Sequence, residues 1–154
     1  MKKINRIVLF SVIASLFSSL DFIIKDKIEE GMIDNGVIDK RGFAEIEKHH
    51  NKGLPLNKLD GHTKEITAIS ASVTVAHLMA SAHDLNNSDD LVKDIANSLI
   101  LAGAVSNTYD RINRGYVVDY LKLGKKKAIY NISDFCIIGG VILTIFSTLK
   151  SIKE

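Results

Sequence analysis

The feature that most constrains the fold of this 154-residue chain is a long apolar block near its N-terminus. The stretch spans Ile4 to Ile24, follows a pair of lysines, and contains no charged residue between Ile7 and Leu20. A helix needs about 20 apolar residues to cross a bilayer, and this stretch supplies them. A cleavable secretory signal has the same basic start and apolar centre, but Ser18 and Ser19 form no small-x-small cleavage site. The block by itself fits either a membrane helix or a signal.

Three further apolar blocks follow, at residues 66–82, 91–111 and 132–149. The hydrophobic fraction of 46% is ordinary for a soluble protein, yet the apolar residues are gathered into blocks. Four blocks predict an all-α integral membrane protein, a four-transmembrane-helix bundle in one domain spanning 1–154. The expected helices cover approximately residues 4–25, 64–83, 91–112 and 131–149. The second block is rich in Ala, Ser and Thr; small residues favour close helix contact in membranes, although a buried helix of a soluble protein has the same composition.

The segment between the first two helices, approximately residues 26–62, is polar and punctuated by glycine. Frequent glycine favours turns and short strands over a long helix. We therefore expect a small, partly β region outside the bilayer. The acidic, asparagine-rich segment from Asp84 to Asp94 is expected to form a surface turn.

The distribution of lysine and arginine predicts the orientation in the membrane. An even number of spans places both termini on one side, and the basic residues near both ends place that side in the cytoplasm. The three lysines at 125–127 would then lie outside, against the same rule. With this topology the end of the first helix, the end of the third and the start of the fourth meet at the extracytoplasmic face.

Several classes of function find no support in the sequence. The net charge of +2, with no basic stripe interleaved with aromatics, argues against a nucleic-acid partner. The chain has neither the H-E-x-x-H of a zinc protease nor a G-x-S-x-G serine turn. The single cysteine, Cys136, lies in an apolar run and is expected to be a buried hydrophobe. No metal or organic cofactor is expected.

Polar residues occur at the ends of the apolar blocks. Asn107, Asp110 and Arg111 fall on one face of the third helix if that helix continues through them. Asn131 and Asp134 repeat the pattern at the start of the fourth block. Ionisable groups at membrane depth cost roughly 2.5–3.5 kcal/mol each and usually mark function.

The charged residues divide into two groups. The pairs Asp21–Lys25 and Asp110–Arg111 fit ion pairs that tie helices together as well as they fit a catalytic role. Asp119 and Asp134 have no basic partner close in sequence, so they are the better candidates for chemistry.

The same residues carry a resemblance to a known family. The stretch from Gly103 to Tyr120, GAVSNTYDRINRGYVVDY, resembles the signature G-x-x-x-N-x-x-D-R-x-x-x-G-x-V-V-D-F of signal peptidase II, the lipoprotein signal peptidase. Three shorter matches follow the family order: D-x-x-x-K at Asp21–Lys25, N-x-G at Asn51–Gly53, and a motif similar to F-N-x-A-D at residues 130–134. The first match also argues against a cleaved signal, because it would belong to the mature enzyme.

The resemblance implies an aspartic endopeptidase of the bacterial cell membrane. It implies that Asp119 and Asp134 form the catalytic dyad, that Asn51, Gly53, Asn107, Asp110, Arg111 and Asn131 support substrate or dyad, and that Asp21 and Lys25 are structural. Arg111 is expected either to fix the loop that carries Asp119 or to pair with a lipid phosphate. The implied substrate is a prolipoprotein cut before a cysteine that already carries diacylglycerol. The implied partners are therefore lipidated signal peptides and membrane lipids, with the enzyme acting as a monomer.

The sequence departs from the family pattern at a few positions. Ser133 replaces the usual alanine, Ser106 takes a position commonly held by glycine, and Leu54-Pro55-Leu56 stands in place of two alanines and a phenylalanine. The altered loop is the feature that fits an alternative function, a non-catalytic relative that binds lipidated signal helices. A second alternative, a soluble secreted helical protein, draws on the weak second apolar block.

Overall fold

The structure is a computed structural model that describes residues 2–37, 43–53, 59–124 and 128–153. The Leu54-Pro55-Leu56 loop and the lysines at 125–127, both noted in the sequence, lie outside the described residues.

Helices dominate the described residues. They are α1 (Lys3–Glu29), α2 (Thr63–Asn87), α3 (Leu91–Asn113) and α4 (Ile132–Lys153), with a single 3₁₀ turn at Asp60–His62 before α2. Among the described residues, α1, α2 and α4 are long and apolar enough to cross a membrane. The prediction of a mostly helical membrane protein is thereby confirmed. Each apolar block lies within one helix, and α1 runs to Glu29, past the expected end at residue 25.

The helices turn apolar side chains outward and polar ones inward. Val12 on α1, Ile69 on α2 and Ile142 on α4 are 55%, 63% and 60% exposed, whereas Asp21 and Lys25 are fully buried. In water such continuous apolar surface would be an aggregation site. In a bilayer it is the expected arrangement, because ionisable groups face the bundle interior. The soluble alternative therefore has no support in the distribution of side chains.

The connection between α2 and α3 is shorter than expected. Of the segment from Asp84 to Asp94, only residues 88–90 are non-helical, so the prediction of an eleven-residue turn was wrong. Asp90 caps α3 by accepting hydrogen bonds from the backbone N–H groups of Val92 (2.9 Å) and Lys93 (3.1 Å). Asp94 is buried and receives two hydrogen bonds from Arg6 of α1, at 2.6 and 2.9 Å. This pair joins α1 to α3 at the end of the bundle that holds the N-terminus.

Four antiparallel strands form a sheet in the order β1 (Gly36–Val37), β2 (Ala44–Asn51), β3 (Val117–Leu123) and β4 (Ile129–Tyr130). β1 and β2 lie between α1 and α2, where strands were expected. β3 and β4 come from the segment between α3 and α4, which was not predicted to form strands. β3 pairs with β2, which is far away in the sequence, so no local sequence pattern predicts this pairing.

The sheet has two different faces. Val118 and Tyr120 of β3 pack against Ile28 at the end of α1, with Ile24 and other partly buried apolar side chains around them. Because side chains alternate along a strand, Val117 and Asp119 point to the opposite face. The sheet therefore fixes one face of β3 on the helices and leaves the other for a site.

Helix α3 makes close contacts with α4 at two glycines. A Cβ atom on Gly103 would lie 2.3 Å from the backbone oxygen of Ser133, and one on Gly140 would lie 2.6 Å from the backbone oxygen of Ala96. Only glycine permits backbones to approach this closely. The contact at Gly103 sets the position of the first turn of α4.

Candidate active site

Asp119 lies on β3 in a nearly closed environment. Its side chain is buried, with the whole residue 4% exposed, and both of its carboxylate oxygens accept hydrogen bonds from asparagine side chains. Asn131 Nδ2 donates to Oδ1 at 2.8 Å, and Asn51 Nδ2 donates to Oδ2 at 3.1 Å. Burial, assisted by the negative charge of Asp134, raises the pKa of Asp119 to about 7. A carboxyl group in this state holds a proton near neutral pH.

Asp134 lies in the first turn of α4. Its Oδ1 accepts a hydrogen bond from Asn107 Nδ2 at 3.2 Å, and its Oδ2 accepts one from the backbone N–H of Asn131 at 3.1 Å. In return, the backbone N–H of Asp134 donates to Asn131 Oδ1 at 2.9 Å. This reciprocal pair has the form of a capping box and explains why α4 begins where it does.

Two asparagines join the carboxylates into one network. Asn131 is fully buried; its Nδ2 donates to Asp119 and also to Asn107 Oδ1 at 3.2 Å. Asn107 comes from α3, Asn131 from the start of α4 and Asn51 from the end of β2. The structure thus brings together in one site five residues that are separated by up to 83 positions in the chain, from 51 to 134.

Arg111 and Gly53 link α3 to the segment that follows β2. Arg111 donates from Nη1 to the backbone oxygen of Asn107 at 3.2 Å and from Nη2 to the backbone oxygen of Gly53 at 3.3 Å. The backbone N–H of Gly53 donates to Asn51 Oδ1 at 3.2 Å. Arg111 therefore holds the segment that carries Asn51, and these hydrogen bonds do not reach the strand that carries Asp119. Its Nε is buried and has no hydrogen-bond partner among the residues that the structure describes.

Asp110 does not pair with Arg111, because consecutive residues on a helix point to different faces. It forms ion pairs with Lys25 at 3.1 Å and with Arg114. Its Oδ2 also accepts a hydrogen bond from the backbone N–H of Val118 at 3.1 Å. Asp110 therefore anchors β3 at the residue immediately before Asp119.

Asp21 and Lys25 form an ion pair at 2.7 Å, fully buried between the helices. Asp21 also accepts hydrogen bonds from three hydroxyl groups to which sequence reasoning gave no role. They belong to Tyr120, Ser106 and Ser133. A signal was present in the sequence, because the family pattern has phenylalanine, glycine and alanine at these positions.

A cavity of about 670 Å³ opens beside the two carboxylates. Its walls come from α2, α3, α4 and the sheet, and both Asp119 and Asp134 line it. Apolar or small side chains form much of the lining, among them Val73, Ala104 and Ile137. The cavity therefore combines an apolar channel with a pair of carboxylates, which suits a peptide whose apolar part binds while one bond is exposed to acid–base chemistry.

Sequence reasoning assigned no role in the site to His49. It lies on β2 directly across from Asp119 in the register of the two strands, and it lines the same cavity. The pairing of β2 with β3 brings it there, which no spacing in the sequence indicates.

Comparison with known proteins agrees with this geometry. The family model for signal peptidase (SPase) II matches residues 13–150. A lipoprotein signal peptidase of Caldicellulosiruptor bescii is 30% identical over 131 residues, covering 85% of this chain and 84% of the relative. One from Moorella thermoacetica is 28% identical over 146 residues, covering 94% of this chain and 95% of the relative.

Two solved structures have the same fold. Both are described as a bacterial membrane enzyme determined by the in meso method, at 2.3 Å and 1.9 Å resolution. Their TM-scores are 0.81 and 0.79, each at 29% identity and covering 94% of this chain. The matched regions make up 89% of the first solved chain and 94% of the second. The resemblance read from the sequence motifs is confirmed: this chain belongs to the signal peptidase II family and is a bacterial membrane protease.

Proposed function

We propose that this protein removes the signal peptide from diacylglyceryl-modified prolipoproteins, cutting before the lipidated cysteine, with Asp119 and Asp134 as the catalytic pair. One observation carries the proposal: both carboxylates line one apolar cavity and are held by the same residue, Asn131. The names of the relatives, lipoprotein signal peptidase, support the choice of substrate.

The chemistry follows from two carboxyl groups that share a buried site. Because two close carboxylates do not both ionise cheaply, one keeps its proton near neutral pH. The ionised group takes a proton from water as the water oxygen attacks the carbonyl carbon of the scissile amide, and the protonated group gives its proton to the carbonyl oxygen. When the resulting diol collapses, the C–N bond breaks and the proton taken from water passes to the departing amine. A diol hydroxyl returns a proton to the other aspartate. The two roles belong to the pair, which titrates as a unit.

The supporting residues orient the pair and the peptide. Asn131 and Asn107 hold the carboxylates with neutral donors, which leaves the charge balance of the dyad unchanged. Asn51 binds Asp119 from β2, and Arg111 holds the neighbouring Gly53 segment. Asn51 lines the cavity, so the end of β2 is suited to contact the substrate on the side away from the bilayer.

The apolar cavity suits a signal helix that remains in the membrane. Helix α2 contributes Ile69 and Val73, and α4 contributes Ile137 and Ile138. A signal helix between these side chains buries its apolar surface on protein while its lipidated cysteine stays at the membrane surface. No metal or organic cofactor takes part in this scheme, and one chain supplies every residue it uses.

We infer that the chain crosses the membrane four times, with α3 as a span in addition to α1, α2 and α4. Both termini would then lie in the cytoplasm. α3 is less apolar than the other helices, but its polar residues face inward: Asp94, Ser98, Ser106 and Asp110 are all buried. A helix that turns its polar residues to other helices can span a bilayer. The sheet and the two aspartates would then lie at the extracytoplasmic face, with the partly β region over the site.

Cleavage of a diacylglyceryl-modified prolipoprotein by the purified protein in detergent tests the proposal. We expect the wild type to release the signal peptide, and Asp119→Asn and Asp134→Asn to bind the same substrate without cutting it. An unlipidated precursor of identical sequence is the control for the lipid requirement. Cleavage by either asparagine variant would disprove the dyad. Binding without cleavage by the wild type would point instead to a non-catalytic relative.

A further inference from the structure

Lys25 lies at the centre of a buried polar cluster that reaches the active site. Its ammonium group contacts Asp21 at 2.7 Å, Asp110 at 3.1 Å and Ser106 Oγ at 3.1 Å. It also donates to Asn107 Oδ1 at 3.0 Å. The contact with Asp21 lies within α1, and the contacts with Asp110 and Ser106 tie α1 to α3. The fourth is made to a side chain that itself binds the catalytic carboxylate of Asp134.

The contact with Asn107 fixes which end of its amide faces the dyad. An amide has an acceptor oxygen at one end and a donor NH₂ at the other, and its partners decide the orientation. Lys25 has only donors, so it holds Oδ1, and Asn131 Nδ2 donates to the same oxygen at 3.2 Å. The NH₂ end is thereby turned to Asp134 Oδ1, at 3.2 Å. With the amide reversed, an oxygen would face the carboxylate and the hydrogen bond would be lost.

We propose that Lys25 is a positioning residue of the peptidase: it orients the Asn107 amide toward Asp134 and places a buried positive charge beside the two carboxylates. This inference rests on the proposed function and extends it, since the family resemblance implied only a structural role for Asp21 and Lys25. Lys25 acts through Asn107 and through its charge.

The surroundings of Asp21 hold Lys25 in place. Asp21 Oδ1 accepts a hydrogen bond from the Tyr120 hydroxyl at 2.8 Å, and Oδ2 accepts from Ser106 Oγ at 2.7 Å and Ser133 Oγ at 2.5 Å. These hydroxyls come from β3, α3 and α4, so three elements fix the carboxylate that binds Lys25.

The charge of Lys25 acts on the dyad together with other groups. Arg111 on α3 and Asp134 on α4 face Asp119, and His49 lies opposite it on β2. Asp21, Asp110 and Arg114 surround Lys25 itself. The positive charge of Lys25 lowers the pKa of Asp119 and so opposes part of the upward shift caused by burial and Asp134. Removing that charge should move the titration of the dyad to higher pH.

Two substitutions separate the two roles of Lys25. Lys25→Met removes the charge and the donor, whereas Lys25→Gln removes the charge and keeps an NH₂ donor for Asn107. Arg6→Met is the matched control, because Arg6 also lies buried on α1 and pairs with a carboxylate of α3, Asp94, in the part of α1 remote from the site. The assay is steady-state cleavage of the diacylglyceryl-modified prolipoprotein by the full chain in detergent across pH, with thermal unfolding of each variant.

We expect Lys25→Met to lower kcat by roughly 10- to 100-fold with KM nearly unchanged. We expect both Lys25 variants to move the pH–rate profile upward by about half a unit or more, and Lys25→Gln to keep more of the kcat. Arg6→Met should lose thermal stability without moving the profile. If Lys25→Met does not fold, the pH–rate profile of Lys25→Gln alone tests the positioning role.

An unmoved profile in folded Lys25 variants, or the same shift in Arg6→Met, would overturn the positioning role. The proposed function is judged separately, by wild-type cleavage beside Asp134→Asn. A wild type that cuts while Lys25 variants keep its pH profile rejects only the role of Lys25. A wild type that does not cut the substrate rejects the proposed function itself.

Discussion

Asn131 donates a hydrogen bond from Nδ2 to Asp119 Oδ1 at 2.8 Å. Its backbone N–H donates to Asp134 Oδ2 at 3.1 Å, so a single residue aligns the strand aspartate with the helix aspartate. Asn131 lies between β4 and α4, and its Oδ1 accepts a hydrogen bond from the backbone N–H of Asp134, which caps α4. The relative position of the two carboxylates is therefore set by a local turn as well as by the packing of the sheet on the helices.

Replacing Asn131 should impair cleavage more than folding. Asn131→Ala removes the side-chain donor of Asp119 while the backbone bond to Asp134 remains. Loss of the buried bond to Asp119 alone costs about 1–3 kcal/mol, which corresponds to roughly a 5- to 150-fold loss of kcat. The side-chain bonds to Asn107 and to the backbone N–H of Asp134 are lost as well, so we also expect a lower Tm. Asn113→Ala is the control, since Asn113 is exposed at the end of α3 and its side chain donates to the backbone oxygen of Tyr109 in the same helix. Equal kcat values for the two variants would contradict the role given to Asn131.

Cleavage should depend on pH near neutrality. Burial and the charge of Asp134 raise the pKa of Asp119 to about 7, so the dyad loses its remaining proton as the pH rises through this value. We expect kcat/KM for the prolipoprotein to fall above about pH 7, since the carbonyl oxygen then has no acid to protonate it. Initial rates from pH 5 to 9 would measure this, with thermal unfolding at each pH to show that the enzyme remains folded. A profile that stays flat to pH 9 would contradict the raised pKa.

The same pKa shift makes a prediction for stability. The folded state keeps the Asp119 proton up to about pH 7, whereas an unfolded aspartate releases it near 3.8, so folding is disfavoured as the pH rises between these values. Asp119→Asn removes this penalty, on the order of a few kcal/mol. We expect its Tm to exceed that of the wild type at pH 8 and the difference to shrink at pH 4. Glu30→Gln, a substitution at an exposed site, should have the Tm of the wild type at both pH values. A Tm difference between Asp119→Asn and the wild type that does not change with pH would refute the prediction.

The close contact of α3 with α4 should not tolerate a methyl group. A Cβ on Gly103 would meet the backbone oxygen of Ser133 at 2.3 Å and Ile137 Cγ1 at 2.7 Å, so Gly103→Ala must push the first turn of α4 away. Overpacking costs typically about 1–3 kcal/mol, and Asp134 lies on the displaced turn. We expect a lower Tm and lower kcat.

Gly139→Ala is the matched control for Gly103→Ala. Gly139 lies on α4, and a Cβ atom added there would contact no atom within 4 Å. Because alanine favours the helix by about 1 kcal/mol over glycine, this variant should equal or exceed the wild type in Tm and retain its kcat. A similar loss in both variants would show that the effect is not the α3–α4 contact.

The wall of the cavity on α2 should govern substrate binding. Val73 lines the cavity and Val75, two positions on, does not, although both are exposed. Val73→Trp should narrow the apolar channel and raise KM for the lipidated substrate several-fold while kcat changes little. Val75→Trp should leave KM unchanged. Equal KM values for the two variants would place the signal helix elsewhere on the bundle.

Much of the helical fold could be predicted because its signal is local. The apolar run of α1 and the block that becomes α4 each contain nearly all the residues of their helix, and hydropathy registers them directly. The first helix was expected to end near residue 25, where the apolar block ends, yet Ile28 is buried against β3 and the helix continues to Glu29. Tertiary packing decided that boundary.

Most residues of the site could be predicted from the sequence, but most of their contacts could not. Asn107, Asp119, Asn131 and Asp134 were identified from motifs, and the structure adds how they bind one another. An Asp110–Arg111 ion pair was one of the two roles that the sequence left open for these residues. Asp110 binds Lys25 and Arg114 instead, because adjacent residues of a helix point in different directions. The hydroxyls on Asp21 and the position of His49 depend on which elements pack together, so spacing along the chain did not indicate them.

The sequence by itself determined the apolar helices, the family and the polar residues at the helix ends, since hydropathy and motif order are properties of neighbouring residues. The tertiary structure alone decided that β2 pairs with β3, that Asp119 faces the cavity, and that Lys25 meets Asn107. These contacts join residues that lie far apart along the chain. They form because α3 and α4 approach at glycine and the buried polar groups must find partners once the bundle closes.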